Sequence, residues 1–241
     1  MNKRLRAIEE MVRPGIGLID VGTDHGFLPV SLARHGYPGR LIAADIGEGP
    51  LSAARRSAES AGLLDRIEFQ RCDGLALCAP ESVDTIVIAG MGGDTICGIL
   101  DRAEWCMDKR YALLLQPMTR AEVLRYWLSN NDFVIERERL VSDSGEIYAL
   151  LSVRFGGKQK LSDAELYSGA FSQIRQEALW PAFSAALRKR MEKQVRGLRE
   201  GCREPGRLEL AEQVLNELCE EERTRADRTG DLSNHRSVGA H

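Results

Sequence analysis

The chain has 241 residues, 43% of them hydrophobic and 29% charged, which suits a globular protein with one full α/β domain and a smaller appendage. A formal net charge of −3 excludes a globally basic polyelectrolyte, so any contact with nucleic acid needs a local patch. Six cysteines form no C-x-x-C pair, which removes zinc-ribbon and thioredoxin chemistry. With no apolar leader and no apolar run near ~20 residues, they read as reduced thiols of a cytoplasmic protein with no membrane span and no metal.

Asn2 to Val12 predicts a short helix with Leu5, Ile8, Met11 and Val12 on one face and Lys3, Arg4 and Arg6 on or near the other. Those cations read as a solvated face, and as substrate contacts if the helix borders a cleft. The stretch Gly17–Pro29, GLIDVGTDHGFLP, then predicts a buried strand, a glycine turn and a helix whose first turn tolerates Pro29. Strand, glycine turn and helix is the layout that binds nucleotide-like ligands at the carboxyl end of an open parallel sheet. The spacing misses the dinucleotide fingerprint G-x-G-x-x-G. Two acids, Asp20 and Asp24, sit inside the turn, where a pyrophosphate loop relies on bare N–H groups. They favour a ligand with a cationic end: S-adenosylmethionine, with its amino group and sulfonium, fits that electrostatics, and NAD, held through its pyrophosphate, does not.

The second strand, Leu41 to Ala44, ends at Asp45, about 20 residues after the turn, where a carboxylate holds a ribose hydroxyl pair in such folds; an exposed strand-end acid is the plainer alternative. A helix follows from Gly49-Pro50, and strand three runs into Asp73-Gly74, either a contact to an adenine amine or an ordinary turn. Val83 to Ile88 is the most apolar strand, central by its lack of alternation. It ends in Ala-Gly-Met-Gly-Gly, Ala89–Gly93, where several glycines imply φ > 0 or close approach of a ligand. No N-P-P-Y-type motif follows it, which argues against methylation of an exocyclic amine. Strand five ends at Gln116-Pro117-Met118, Thr119 is the predicted cap of the next helix, and two closing strands surround Ser142–Gly145.

From Ser162 the strand pattern stops. Leu166 to Leu179 has helical spacing, Pro181 marks a break, and helices over Ala182–Arg199 and Leu208–Leu218 predict an antiparallel hairpin. Its first arm is basic, including Arg188 and Lys189, and its second is acidic. The charges either pair across the hairpin or leave surplus cations for RNA. Thr229–His241 is polar and predicts a disordered tail.

The motifs D-V-G-T-D-H-G-F-L-P, A-D-I-x-x-G-P-L, Asp73-Gly74, I-A-G-M-G-G and L-Q-P-M, in that order, strongly resemble the bacterial TrmK family, S-adenosylmethionine-dependent enzymes that methylate N1 of adenine 22 in tRNA. The resemblance implies a class I, Rossmann-like α/β methyltransferase domain over residues 1–157, a coiled-coil-like helical hairpin over 158–228 and the tail over 229–241. It implies cofactor contacts at Asp20, Gly22, Asp45, Asp73 and Gly90, with His25, Ile46, Gly74 and Met91 beside them, and a catalytic carboxylate at Asp24. Substrate contacts fall to Gly92, Gln116, Pro117, Arg4, Arg188 and Lys189. Family members often carry Glu after strand two and Asn after Gln-Pro, where this chain has Asp45 and Met118. The implied partner is tRNA and the implied state a monomer or weak homodimer. A different RNA base or a protein as acceptor, and a non-catalytic binding module, are the rival readings.

Overall fold

The computed structural model describes residues 1–201 and 205–234. The chain divides into two compact units, Met1–Lys160 and Leu161–His241, at a boundary just past residue 157.

Unit one is a seven-stranded sheet of β1 (Gly17–Val21), β2 (Arg40–Asp45), β3 (Glu68–Arg71), β4 (Thr85–Gly92), β5 (Ala112–Thr119), β6 (Phe133–Asp143) and β7 (Glu146–Phe155), in the spatial order β3-β2-β1-β4-β5-β7-β6. The first five strands are parallel, and β7 enters antiparallel between β5 and β6. All five residues of β1 are buried, as a strand covered on both faces requires. On one face, α1 (Lys3–Glu9), α2 (Phe27–Arg34) and α3 (Glu48–Ser60) bury Ile8, Leu28 and Ala58 against Leu18, Leu41 and Val87. Elsewhere α4 (Gly93–Asp101) packs on β4, β5 and α5 (Ala121–Asn130), and α5 continues onto β6. Ser144 and Gly145, at φ 53° and 87°, join β6 to β7. Positive φ at both central residues is the type I′ geometry that matches strand twist.

Thr119 is not a helix cap. It ends β5, and Arg120, left-handed at φ 55°, precedes α5 with no side-chain cap. The reason is a close backbone approach: a Cβ on Gly93 would stand 2.2 Å from the Arg120 carbonyl oxygen.

In unit two the run from Leu166 is not one helix. Gly169, at φ 93°, separates α6 (Asp163–Ser168) from α7 (Phe171–Ile174), and α8 spans Trp180–Gly201. Pro181 sits in the first turn of α8, where its missing N–H costs nothing. α9 spans Pro205–Asn234. Leu187, Met191 and Val195 of α8 pack with Ala211, Val214 and Leu218 of α9. Ion pairs Arg199–Glu212 and Arg188–Glu222 pair rising numbers with falling ones, so the helices are antiparallel. The expected tail divides. Residues 229–234 continue α9, because adding a turn to a formed helix costs far less than starting one, and 235–241 lie outside the described residues. No helix among the described residues is long and apolar enough to cross a membrane, and none of their His, Cys, Asp and Glu side chains gather in a metal-holding group.

Candidate active site

In this strand order β1 has β2 on one side and β4 on the other, so the chain reverses its direction of travel across the sheet between β1 and β4. The loops that follow the two strands part there and leave a crevice at their carboxyl ends. Val21 pairs with Ile88, which puts the glycine turn after β1 beside the Ala89–Gly90 bend of β4. A cleft of about 380 Å³ opens at this point, within the range of small-molecule sites. Its lining comes from the two loops (Asp20, Gly22, Thr23, Asp24, Phe27, Ala89, Gly90), from β5 (Gln116, Met118) and from the first turn of α1 (Asn2, Arg4, Leu5).

The glycine turn is not a phosphate loop. The N–H groups of Gly22 and Thr23 both donate to the Ala44 carbonyl, at 2.8 and 3.0 Å, which leaves neither for an anion. What the turn offers is carboxylate. Asp20 is buried and accepts from the Thr23 hydroxyl at 2.7 Å. Burial pushes its carboxyl up to about 6, nearby Asp45 adds to the rise, and the Thr23 hydrogen bond opposes it. Asp24 takes a left-handed φ of 47°, which Asp tolerates better than most residues, and its side chain is 75% exposed toward solvent. An acid held dry and an acid held at the mouth suit a ligand with positive charge. The bends leave room for it: Gly90, at φ 81°, has nothing within 4 Å of where a Cβ would stand, and the Met91 methyl packs on Gly22.

A methyltransferase-domain family model matches residues 1–151. The chain is 31% identical over 163 residues to the tRNA (adenine(22)-N(1))-methyltransferase of Bacillus subtilis, covering 68% of either chain. The chain belongs to the TrmK family. Among solved structures, a candidate tRNA (m1A22) methyltransferase of Streptococcus pneumoniae, in complex with S-adenosyl-L-methionine, superposes with a TM-score of 0.77 at 32% identity, over 89% of this chain and 99% of that one. A Rossmann-superfamily protein of Streptococcus agalactiae reaches 0.81 at 28% identity, over 92% and 96%. The family resemblance carried by the motifs is thereby borne out, and so is the Rossmann-like sheet with carboxyl-terminal helices.

In this TrmK-family chain the sequence-predicted residues fall into three places. Arg4, Asp20, Gly22, Asp24, Gly90 and Gln116 share the cleft. Asp45, Ile46, Asp73 and Gly74 lie at the carboxyl ends of β2 and β3, along the same edge of the sheet. Asp45 Oδ1 accepts from Gly47 N at 2.7 Å, Ile46 is 66% exposed, and Asp73 pairs with Arg102 at 3.1 Å. Gly74, at φ 59°, packs on Ile99. Arg188 and Lys189 belong to unit two.

Several expectations change on inspection. Gln116 is not free to read a base edge. It is fully buried, with Oε1 accepting from Gly90 N and Arg4 Nη1 and Nε2 donating to the Pro117 carbonyl. Pro117 does not line the cleft; its carbonyl takes the Gln116 Nε2 hydrogen bond. Gly92 has an ordinary extended backbone beside Thr119, and Gly93 answers to the Arg120 carbonyl, so of the glycines ending β4 only Gly90 faces the cleft. His25 is exposed. Its half-exposed ring stacks on Phe27, centroids 5.2 Å apart, and its Nε2 lies 3.7 Å from Asp24 Oδ2. Phe27 was not singled out by the sequence reading. A phenylalanine opening a helix looks like core, yet this one is 43% exposed at the cleft. Met118 brings a weak sulfur acceptor near Arg4 Nη1 and Gln116 Nε2.

Proposed function

We propose that the chain transfers a methyl group from S-adenosylmethionine to N1 of adenine 22 of tRNA, in the cleft at the β1/β4 crossover. The observation that carries this reading is the pairing of buried Asp20 with exposed Asp24 in a cleft where the Gly22 and Thr23 N–H groups are already bonded to the Ala44 carbonyl. Such a cleft attracts cations at two depths. When bound, S-adenosylmethionine supplies a methyl group on a sulfonium, an electrophile strong enough for an uncharged nitrogen. The adenine N1 lone pair is such a nucleophile at neutral pH, so no base has to create it. As the N1–CH₃ bond forms and the S–CH₃ pair returns to sulfur, positive charge grows on the purine and its N6 amine turns acidic. Asp24 accepts a hydrogen bond from N6, stabilising the transition state more than the ground state. A base attacked on its Watson–Crick edge must leave its stack. Phe27, backed by His25, offers the extruded ring an aromatic plane at the mouth. Asp45, Ile46, Asp73 and Gly74 hold the adenosine half of the donor.

Asp20 gives this reading a pH signature. Its carboxyl titrates near 6, so above pH 6 it is ionised and below it is neutral and indifferent to a cation. The dissociation constant for S-adenosylmethionine is expected to rise as pH falls below 6, approaching tenfold per unit, while Asp20→Asn binds weakly with a flat profile; calorimetry from pH 5 to 8 reads both. The effect on the fold runs the other way. With the folded value above the ordinary 3.8, ionisation costs nothing below about pH 4 and the full ~3 kcal/mol above about pH 6. Asp20→Asn is thus expected to melt higher than wild type at pH 8. Melting below wild type there would contradict this account.

The surplus of cations on α8 supports tRNA as partner. Arg188 is held by Glu192 and Glu222, and Arg199 by Glu212. Lys189, Lys193 and Arg196 form an exposed i, i+4, i+7 stripe with no ion-pair partner among the described residues. Changing all three to Gln is expected to lower the slope of log affinity against log salt for tRNA by about two to three, with donor affinity unchanged. The apolar seam of the hairpin is filled by its own two helices together with Ala164 of α6, which favours a monomer or weak homodimer, and cytoplasmic residence follows from a tRNA substrate. Unmodified tRNA incubated with labelled donor, followed by nucleoside analysis, decides the class. N1-methyladenosine at position 22 upholds it; label on another nucleoside, or none, overturns it.

A further inference from the structure

One well-connected side chain of the cleft comes from outside the sheet. Arg4, on α1, donates from Nε to Asp143 Oδ2 at 3.0 Å and from Nη1 to Gln116 Oε1 at 3.0 Å, and its guanidinium lies 4.9 Å from the centroid of the Tyr148 ring. One group thereby joins the amino-terminal helix to the end of β5 and to the tip of the β6–β7 hairpin. Its side chain is 19% exposed and that of Asp143 12%, so the pair is sheltered on both sides.

What Arg4 holds is an orientation. The β4–β5 register shifts between Ala89 and Met91, and the Gly90 N–H finds its acceptor in Gln116 Oε1, at 3.2 Å. A carboxamide can rotate by a half-turn, and a flipped Gln116 would set its NH₂ against the Gly90 N–H, donor facing donor. Arginine has donors only, so Arg4 forbids the flip from one side while the Pro117 carbonyl, accepting from Nε2 at 2.9 Å, forbids it from the other. We propose that Arg4, steadied by Asp143, is a positioning residue of the methyl-transfer site. It locks the Gln116 carboxamide and, through it, the Gly90 bend at the floor of the cleft, making α1 a working wall of the active site. This rests on the tRNA methylation reading above. It takes the place of the substrate contact expected of Arg4, since Nε and Nη1 are already bonded within the protein.

The test compares wild type, Arg4→Ala, Arg4→Lys and Asp143→Asn. Arg4→Ala is expected to lose ten- to a hundredfold in kcat, as a small misplacement of reacting groups costs, with KM for tRNA within about twofold and the salt slope of tRNA binding unchanged. Arg4→Lys is expected not to rescue, since a single ammonium cannot span Asp143 and Gln116. Asp143→Asn, close in shape and the safer variant for folding, falls in the same direction by a smaller factor. Independently of turnover, the Gly90 amide should lose hydrogen-exchange protection in Arg4→Ala, while amides of β1 keep theirs. Wild-type kcat in Arg4→Ala, full rescue by lysine, or a salt slope lower by about one, the mark of a phosphate ligand, each overturns the proposal. If wild type makes no N1-methyladenosine the tRNA reading fails, and the Gly90 amide still decides whether Arg4 holds the bend.

Discussion

With Asp24 changed to Asn, the protein is expected to keep its affinity for S-adenosylmethionine within about threefold and to lose about a hundredfold in kcat, the scale of removing one well-placed electrostatic partner of a transition state. Asparagine is the informative replacement because the backbone there is left-handed, φ 47°. Asn adopts that conformation readily, whereas Ala would add strain to the loss of charge. The side chain is 75% exposed and faces the cleft from its mouth, so its removal leaves no cavity and no unpaired buried group. A fall in turnover can then be assigned to chemistry and not to folding. Single-turnover methylation of unmodified tRNA, with donor affinity measured in parallel, separates the two. A kcat within threefold of wild type removes Asp24 from the mechanism; donor affinity lost along with turnover would make it a binding residue instead.

The half of the site made by local chain chemistry was legible in the residues, and the half made by tertiary convergence was not. Gly22 and Asp24 occupy a strand-to-helix turn, just past Asp20 near the end of β1, whose geometry glycine dictates over a few residues, and the cleft forms there. Gly90 was legible for the same reason, since its φ of 81° is a local demand. Asn2, Leu5 and the full part played by Arg4 depend on where α1 docks, and one arginine among many charged residues carries no sign that its partners are 112 and 139 positions away. Gln116 was found but misread. A glutamine ending a strand looks like a reader of ligands, and only the shift in register of β4 reveals the backbone N–H it must satisfy. Fold class followed from the run of apolar strands and glycine turns, while the break at Gly169 shows how a single φ of 93° overrides a helical apolar period.

The largest expected loss of stability lies far from the chemistry, at Arg125 and Glu138. The alternation of β6 starts with Phe133 and Ile135 inward and, left unbroken, would send Arg137 and Arg139 into the core. A bulge at Glu136 reverses the parity: Ile135 pairs with Val153 but Arg137 with Ser152. Glu138 and Leu140 turn inward instead, and Arg137 is exposed. Glu138 then meets Arg125 of α5, which donates through Nε at 3.0 Å and through Nη2 to the same carboxylate oxygen, with both side chains wholly inaccessible to solvent. A buried pair of this kind is worth little against a hydrophobic replacement, because desolvating two charges consumes most of their attraction. Removing one partner strands the other without water and costs 3–5 kcal/mol. Glu138→Ala and Arg125→Met are each expected to cost about that much, lowering the melting temperature by roughly 10 °C for a domain of this size. The double variant Arg125→Met/Glu138→Leu should recover most of the loss, since it removes both charges and refills the volume. Urea unfolding of the three variants completes the cycle, and single variants within 1 kcal/mol of wild type, or a double variant no better than either single, would show that water reaches the pair after all.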